Sequence, residues 1–284
     1  MIFHKLKSFG AGTIFGGFVV LSTIILAPSR KAFRTSGRAS NYVLQWTTKL
    51  LLKTMMIENI NMTYTPDAPD VSLAVVISNH VSFVDWFVIW ACLWRLKPGL
   101  FLVFFAKRSL MLFASLFETI NKNFIKILLL MRDINYDFLT IKGLEPIIKA
   151  KCDRPVFVVV FPEGTLITHK RSALVNLRRS LTRRVEKLNN VMIPKNTGFD
   201  NILKMVPGAK VIDVTLKYSH RTSIWTMLRG KRASVEVFVK VVDPPSADSF
   251  EWLYNNFKEK DARLSSTPFM DGFQGETYTI NLFK

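Results

Sequence analysis

The pattern of apolar and polar positions after residue 70 predicts short buried strands alternating with helices. Almost wholly apolar runs at residues 73–78, 155–161, 211–218 and 235–242 are typical of strands, and residues 86–94 are typical of an apolar helix. The run 100–106 fits either a further strand or a segment that dips into a membrane, because periodicity alone does not separate the two. Strands that are apolar on both faces indicate a sheet covered on both sides. We therefore predict an α/β fold with a mixed, mostly parallel sheet covered by helices.

The stretch 10–28 contains no charged residue and predicts a membrane-anchoring helix or helix pair. One straight helix of that length would be about 28 Å long, close to the ~30 Å hydrocarbon core of a bilayer, although its glycines also permit a bend. A signal peptide is the alternative, but no small-residue cleavage site precedes the basic residues that follow. Residues 41–57 predict an amphipathic helix that either packs on the core or lies on the bilayer. We expect an N-terminal membrane anchor and amphipathic helix in residues 1–60 and a catalytic domain in residues 61–284.

Charge and hydropathy together favour a membrane partner. The 284 residues include 39 Lys and Arg against 21 Asp and Glu, a net charge of +18, yet the mean hydropathy is positive, at +0.21. This combination suits an anionic membrane surface with phosphate-bearing partners better than a nucleic acid, whose binding proteins are usually basic and polar. The basic segment 169–187 predicts a helix with a positive face. Three interpretations of that face remain open: a solvated surface, a contact with anionic lipid, and a site for the phosphates of a ligand.

The first candidate for chemistry is a histidine and an aspartate directly after a predicted strand. His80 and Asp85 stand five residues apart, so they do not meet within one helix. If Ser82 caps a helix that has Asp85 in its first turn, as in a capping box, the carboxylate can reach back to His80 in the preceding loop. An imidazole held at one nitrogen and free at the other is the arrangement of a general base. A structural histidine, with Asp85 serving only the helix dipole, is the alternative.

The second candidate is a polar turn after another predicted strand, at residues 161–165. Gly164 permits positive φ or close approach of a ligand, Glu163 supplies a charged acceptor, and the hydroxyl of Thr165 suits a helix cap or a substrate contact. Such a turn is ordinary by itself. It becomes informative because the carboxyl ends of neighbouring parallel strands meet at one edge of a sheet, where open α/β sheets bind ligands.

The two motifs together resemble a known family. Asn-His-x4-Asp at 79–85, followed about eighty residues later by Phe-Pro-Glu-Gly-Thr at 161–165, is similar to the paired signature of the glycerolipid acyltransferases, which include the 1-acylglycerol-3-phosphate acyltransferases. The block ending in Arg132 and the block around Lys195 extend the resemblance, which covers roughly residues 70–265. Features at 85–90, 161–168 and 252–264 resemble the lysocardiolipin and lysophosphatidylinositol acyltransferase subgroup. Two positions depart from the usual pattern: Leu166 replaces an arginine after the second motif, and Lys195 replaces another.

The resemblance implies a membrane-associated O-acyltransferase. It would move a fatty acyl group from acyl-CoA to the free hydroxyl of a lysophospholipid of the lysophosphatidate, lysophosphatidylinositol or lysocardiolipin type. In this scheme His80 is the general base and Asp85 orients it. The acceptor would be bound by a further set of residues: Arg132, Glu163, Gly164, Thr165 and Lys195.

The same resemblance sets expectations for ligands and compartment. We expect no metal, no nucleic-acid partner and no cofactor beyond acyl-CoA as co-substrate. The subgroup resemblance favours the endoplasmic reticulum membrane over a bacterial inner membrane. The four basic residues that follow the stretch 10–28, against two that precede it, place the catalytic domain on the cytosolic side. A catalytically inactive membrane lipid-binding scaffold of the same fold is the main alternative, and Leu166 is the sequence feature in its favour. A basic nucleic-acid binder would leave the paired motifs unexplained.

Overall fold

The computed structural model describes residues 55–111, 125–151, 153–166, 169–220, 229–246, 248–266 and 275–281, together with positions 49, 52, 53, 118, 222 and 226. These residues form eight strands and six α-helices. The strands are β1 Ile57–Tyr64, β2 Leu73–Ser78, β3 Phe101–Lys107, β4 Ile125–Leu130, β5 Val156–Val160, β6 Lys210–Tyr218, β7 Ala233–Val242 and β8 Glu276–Asn281. The helices are α1 Asp85–Leu96, α2 Ile134–Lys142, α3 Leu144–Ala150, α4 His169–Arg183, α5 Asn196–Met205 and α6 Ser249–Ser265.

The eight strands form one sheet in the order β4-β3-β5-β2-β6-β7-β1-β8. β4, β3, β5, β2 and β6 are mutually parallel, so their carboxyl ends lie at one edge, which we call the carboxyl edge. β6 pairs antiparallel with β7, and β1 pairs antiparallel with β8. The strand β2 lies between β5 and β6, and this position brings the segments that follow these three strands together.

Two hydrophobic clusters cover the two faces of the sheet. Alternate residues of β2 point to opposite sides: Ala74 and Val76 belong to one cluster, Val75 and Ile77 to the other. The helix α1 packs in the first cluster, where eight of its side chains are more than nine-tenths buried. The helices α2, α3, α5 and α6 contribute to the second cluster. Burial on both faces explains why these strands are apolar throughout.

The predicted mixed, mostly parallel α/β sheet is confirmed. All four predicted strands are present within two residues of the expected bounds, and the run 100–106 is the strand β3. The strand β1 was not predicted, and it crosses residue 60, the expected end of the N-terminal segment. Residues 57–60 therefore belong to the sheet because they pair with β7 and β8.

The proposed membrane anchor at residues 10–28 lies outside the described residues, as does most of the predicted amphipathic helix at 41–57. Within the described ranges, every helix is too short or too polar to cross a bilayer. The two-part division of the chain stays a prediction.

Candidate active site

The carboxyl edge of the sheet positions the two sequence motifs side by side. His80 lies two residues beyond β2, and Glu163 lies three residues beyond β5. Because Ile77 pairs with Val160 in parallel register, the two loops begin at the same level of the sheet. Tyr218 ends β6 on the other side of β2. Residues more than eighty positions apart therefore converge on one loop.

His80 and Asp85 form the pair that their spacing predicts. The Nδ1 atom of His80 lies 2.9 Å from Oδ2 of Asp85. The helix α1 begins at Asp85, so this carboxylate stands at the helix N-terminus and reaches back over residues 80–82. The same oxygen accepts hydrogen bonds from the backbone amides of Val81 at 2.7 Å and Ser82 at 2.9 Å. Three donors from one loop thus fix the position of His80 relative to the helix.

The predicted capping box is only half present. The carboxylate of Asp85 binds the amide of Ser82 as expected, but Val84 is the N-cap residue and makes no side-chain capping bond. The hydroxyl of Ser82 instead accepts from the amide of Val84 at 3.4 Å and donates to the carbonyl of Thr222 at 3.1 Å. The amide of Asp85 bonds to the Ser82 carbonyl, which closes a tight turn before the helix. Because of this turn, Asp85 is the first residue of the helix and not the third, which is the position that the capping box predicts.

The carboxylate of Asp85 is fully buried and binds a fourth donor. The hydroxyl of Tyr218 donates to Oδ1 at 2.6 Å. Burial and the charge of Asp85 hold the pKa of Tyr218 well above its usual value, so the phenol keeps its proton. Four donors around one carboxylate leave it purely an acceptor, so Nδ1 of His80 carries the hydrogen of their bond.

The imidazole of His80 is left with its other nitrogen free. Nε2 makes no hydrogen bond to a described residue, and the side chain is 15% exposed. The ring stacks on Phe161, with centroids 4.1 Å apart. With Nδ1 protonated and oriented, Nε2 has the lone pair that a general base requires.

Asn79 fixes the 80–82 loop to β6 through two hydrogen bonds. Its side-chain amide donates to the carbonyl of Leu216 at 2.9 Å, and its oxygen accepts from the amide of the same residue at 2.8 Å. Asn79 is fully buried, so these two bonds satisfy groups that would be costly to leave unpaired. The residue before the histidine therefore ties the loop to β6.

Glu163, which the resemblance places among the acceptor-binding residues, contacts the backbone of two loops in the structure. Its side chain is fully buried, and its two oxygens accept from the backbone amides of His80 at 3.3 Å and Met192 at 3.2 Å. Burial is the main cause that raises the pKa of this carboxyl to about 8, against the lowering effect of those two amides. Glu163 thus braces the backbone of His80 against the 190s loop and is shielded from a headgroup.

The turn after Glu163 has the predicted glycine geometry. Gly164 has φ of +73°, a conformation that side chains with a Cβ rarely adopt. A Cβ built there would lie 3.9 Å from the side chain of Lys195, so conformation rather than lack of space requires glycine. Thr165 is exposed beside it, and its substrate contact stays a prediction.

Three cations gather beside this turn. The pKa of Lys195 is lowered by partial burial and by the charges of Arg179 and Arg132. Lys195 and Arg179 both reach this turn: Arg179 bonds to the carbonyl of Glu163, and Lys195 lies 3.9 Å from a Cβ built on Gly164. Arg179 is held by the carbonyls of Ile193 and Glu163, while Arg132 is exposed after β4. We call Arg132, Arg179 and Lys195 the cation cluster. Like charges this close are unfavourable unless an anion joins them, so the cluster is suited to a phosphate.

The backbone of Arg132 supports this interpretation. Its φ is +65°, a conformation that is uncommon for residues other than glycine. Hydrogen bonds on both sides maintain it: the amide of Met131 donates to Asp137 at 2.7 Å, and Asp133 caps the next helix. Residues held in such conformations concentrate at functional sites.

Comparison with known proteins identifies the family. Residues 59–218 match the family model described as Acyltransferase, which is more than half of the chain and includes His80, Asp85 and Glu163. The chain belongs to the acyltransferase family. This confirms the family drawn from the two motifs, whereas the lysocardiolipin and lysophosphatidylinositol subgroup stays a prediction.

Two curated relatives of this chain come from plants. Proteins named 1-acyl-sn-glycerol-3-phosphate acyltransferase 2 from Arabidopsis thaliana and Brassica oleracea are each 29% identical to it over 72% of this chain. The chain spans about half the length of these relatives, 54% in each case. Among solved structures, the 1-acyl-sn-glycerophosphate (LPA) acyltransferase PlsC from Thermotoga maritima is similar with a TM-score of 0.49 and 15% identity, over 89% of this chain and 90% of that one.

Beneath the site the chain has a buried ion pair that the sequence did not reveal. The ammonium of Lys260 binds the carboxylate of Asp213, and it also donates to the carbonyl of Val214 at 2.7 Å. Lys260 and Asp213 are each only 1% exposed. The charge of Lys260 also favours the ionised form of Glu163, so the brace and the ion pair are electrostatically linked.

A cavity of about 410 Å³ lies beside the histidine–aspartate pair. Val81 and Tyr218, which flank the pair, are among its lining residues, and apolar walls come from Met192, Leu216 and Leu264. His80 itself is not among the lining residues. The pair and the cavity are therefore neighbours across the 80–82 loop rather than parts of one hollow.

Other candidate groups for catalysis lie away from the site. Cys92 is buried within α1, and burial raises its pKa far above the usual value, so it is not a nucleophile. Across the described ranges, His, Cys, Asp and Glu side chains form no group of three that suits a metal ion. Cys152 and the side chains of Lys170 and Arg171 lie outside the described set.

Proposed function

We propose that this protein transfers a fatty acyl group from acyl-CoA to the free hydroxyl of a lysophospholipid that carries a phosphate headgroup. The observation that supports the proposal best is the oriented pair at the carboxyl edge, in which Asp85 fixes His80 with Nε2 free. The names of the plant relatives favour a 1-acylglycerol-3-phosphate as acceptor. The motif resemblance adds lysophosphatidylinositol and lysocardiolipin as acceptors to be compared.

In the proposed reaction, Nε2 of His80 removes the proton from the acceptor hydroxyl as its oxygen attacks the thioester carbonyl. Asp85, already bound to Nδ1, stabilises the imidazolium that forms. The tetrahedral intermediate then expels the CoA thiolate, which receives the proton from the imidazolium. The ester bond forms as the thioester bond breaks, with no acyl-enzyme between them. The buried Cys92 is consistent with direct transfer.

The cation cluster is proposed to bind the acceptor phosphate. Arg132 is exposed and presents five N–H donors, which suits a phosphate in two-point contact. Lys195 adds a point charge at the entrance of the Gly164 turn. Arg179 makes bonds to two carbonyls and so orients the cluster while adding to its charge. Leu166, where relatives often have an arginine, is consistent with this redistribution of the phosphate site.

We further propose that the protein works at a membrane. The uncharged stretch 10–28 and the net charge of +18 support attachment to an anionic bilayer. Of the possible compartments, the endoplasmic reticulum with the catalytic domain on the cytosolic side fits the subgroup resemblance. No cofactor other than the co-substrate acyl-CoA enters this scheme.

The test is a substrate panel with the purified full-length chain. Acyl-CoAs of several chain lengths are combined with lysophosphatidate, lysophosphatidylinositol, lysocardiolipin and a lysolipid without phosphate, and the acylated product is measured by mass spectrometry. We expect product only when an acyl-CoA and a phosphate-bearing acceptor are both present. Lipid binding without any product across the panel would favour the inactive scaffold and overturn the proposal.

A further inference from the structure

The exposed apolar side chains of this protein are concentrated on segments that follow β3, β4 and β5. Eight of the nine large apolar side chains exposed within the described ranges lie there, and the ninth is Tyr278 on β8. The set is Leu110, Met111, Met131, Tyr136, Leu139, Leu174, Leu177 and Leu181. Soluble surfaces scatter such residues singly, whereas a contiguous group marks an interaction surface.

The helix α4 carries the most exposed part of this group. Leu174 and Leu181 are each 71% exposed and Leu177 is 48% exposed. Their spacing of three and four residues places them on one face of the helix, which we call the leucine stripe. The opposite face is fixed to the protein: Asn176 bonds to the carbonyls of Leu188 and Val191, and Arg179 bonds to that of Glu163. The helix is therefore held at the carboxyl edge with the stripe pointing outward.

The charge around the leucine stripe is positive. Arg178 is exposed next to Leu177, and Arg184 and Lys187 are exposed just after the helix ends. Glu186 is the one acid between residues 169 and 187, and its carboxylate is paired with Lys258 at 2.6 Å. Apolar side chains beside arginines that form no ion pair with a described residue match the boundary between acyl chains and anionic headgroups, where each basic residue near the surface adds about five-fold to binding.

We infer that the leucine stripe of α4 is a lipid-docking surface that inserts into the interface of an anionic bilayer and turns the carboxyl edge towards the membrane. This inference deepens the proposed function, because it would place His80 and the cation cluster near lipid acceptors. The partner is the bilayer itself, since the complementary features are an apolar layer and a negative surface in the same place.

The test measures whether position 177 contacts lipid in the full-length chain. A fluorophore sensitive to polarity is attached to Leu177→Cys, in a background with Cys92 and Cys152 replaced by alanine, and the protein is placed on phosphatidylcholine vesicles with or without phosphatidylglycerol. The control label is on Lys149→Cys. Lys149 is 74% exposed on α3, which leads to the opposite edge of the sheet.

With anionic vesicles we expect the emission at 177 to shift to shorter wavelength and to be quenched by lipids with nitroxide-labelled chains, while the label at 149 does neither. Equal behaviour at the two positions would overturn the inference. A blue shift at 177 without nitroxide quenching would also overturn it, because another part of the protein would then cover the stripe. Photo-cross-linking of the native chain by a diazirine lipid also measures contact between the leucine stripe and lipid, without cysteine replacements.

The docking surface and the acyl transfer can fail separately. The same labels are measured on a His80→Ala chain, which we expect to dock as well as the parent. If the label at 177 inserts but neither the parent chain nor the His80→Ala variant transfers an acyl group, the docking surface is supported and the proposed function is refuted. If the parent chain transfers an acyl group but the label at 177 does not insert, the proposed function is supported and the docking surface is refuted.

Discussion

Replacing Glu163 by glutamine removes a buried titratable group while keeping the side-chain shape. In the folded protein the pKa of this carboxyl is raised from 4.5 to about 8, chiefly by burial. The folded state therefore binds the proton more tightly than the unfolded state does. Between those two pH values the folded state holds more protons, so the free energy of unfolding falls as the pH rises. A salt-bridged surface carboxylate has the opposite effect, because its lowered pKa makes the free energy of unfolding rise with pH.

The size of the effect follows from the same difference. Raising a carboxyl pKa from 4.5 to about 8 corresponds to at most about 5 kcal/mol of stability lost from low to high pH, at about 1.4 kcal/mol per pH unit. Glutamine does not titrate, but its amide nitrogen faces one of the two backbone donors, His80 or Met192. Leaving that donor unsatisfied costs about 1–3 kcal/mol at every pH. The variant should thus be less stable than wild type near pH 5 and more stable near pH 9.

The assay is thermal unfolding of the full-length chain, followed by circular dichroism from about pH 5 to pH 9. For a protein of this size, the difference in Tm between Glu163→Gln and wild type should change by roughly 10 °C over that range and reverse its sign. Glu145→Gln is the matched control, because Glu145 is an exposed carboxylate paired with Lys149. A Tm difference that stays constant with pH would refute the assignment of Glu163 as a buried, protonated brace.

Three further substitutions test the surroundings of the site. Tyr218→Phe removes one of four donors to Asp85. We expect kcat to fall by about 10- to 100-fold, since a hydrogen bond to a charged group contributes about 1.5–3 kcal/mol, with the acceptor KM unchanged in steady-state assays. Arg132→Ala should raise the KM for phosphate-bearing acceptors by about 10- to 100-fold and leave the KM for acyl-CoA unchanged, as measured by initial rates. Lys260→Met leaves the buried Asp213 without its partner, and urea unfolding should show a loss of about 3–5 kcal/mol.

The arginine and lysine substitutions each have a matched control that should change little. Arg154→Ala removes an arginine next to the amino end of β5, away from the cation cluster, and Lys258→Met removes an exposed lysine two residues before Lys260 in the same helix. A shift in the acceptor KM for Arg154→Ala as large as that for Arg132→Ala would argue for general charge steering rather than a phosphate site. Equal stability losses for the two lysine variants would contradict the buried pair.

Local patterns were enough to predict four of the eight strands and the histidine–aspartate pair. The strand β2 is apolar throughout because both faces are covered, and such a run is distinctive. His80 and Asp85 lie within one loop and one helix start, so their contact depends only on local geometry. The strand β1 could have been found from the alternation of Ile60 and Met62 with the polar residues around them, but its weak hydrophobicity resembles the end of the preceding amphipathic segment.

Contacts that depend on the order of the strands in the sheet could not be predicted from the sequence. Tyr218 is 133 positions from Asp85, and they meet only because β6 neighbours β2. The same order buries Glu163 between His80 and Met192, which is why a residue expected to face substrate is a brace. Lys260 lies in a charged stretch typical of an exposed helix, and no local signal marks the one lysine that points inward.

The most direct measurement of the proposed chemistry is the rate of CoA release by His80→Ala with saturating acyl-CoA and lysophospholipid. His220→Ala serves as the control. His220 lies two residues beyond β6 at the same edge of the sheet, but its Nδ1 atom contacts the hydroxyl of Ser219 and not a carboxylate. If Nε2 of His80 is the base, release falls by about 10³-fold or more in the first variant, with little change in the second. Release at the wild-type rate from a folded His80→Ala chain would contradict the assignment of this histidine as the general base.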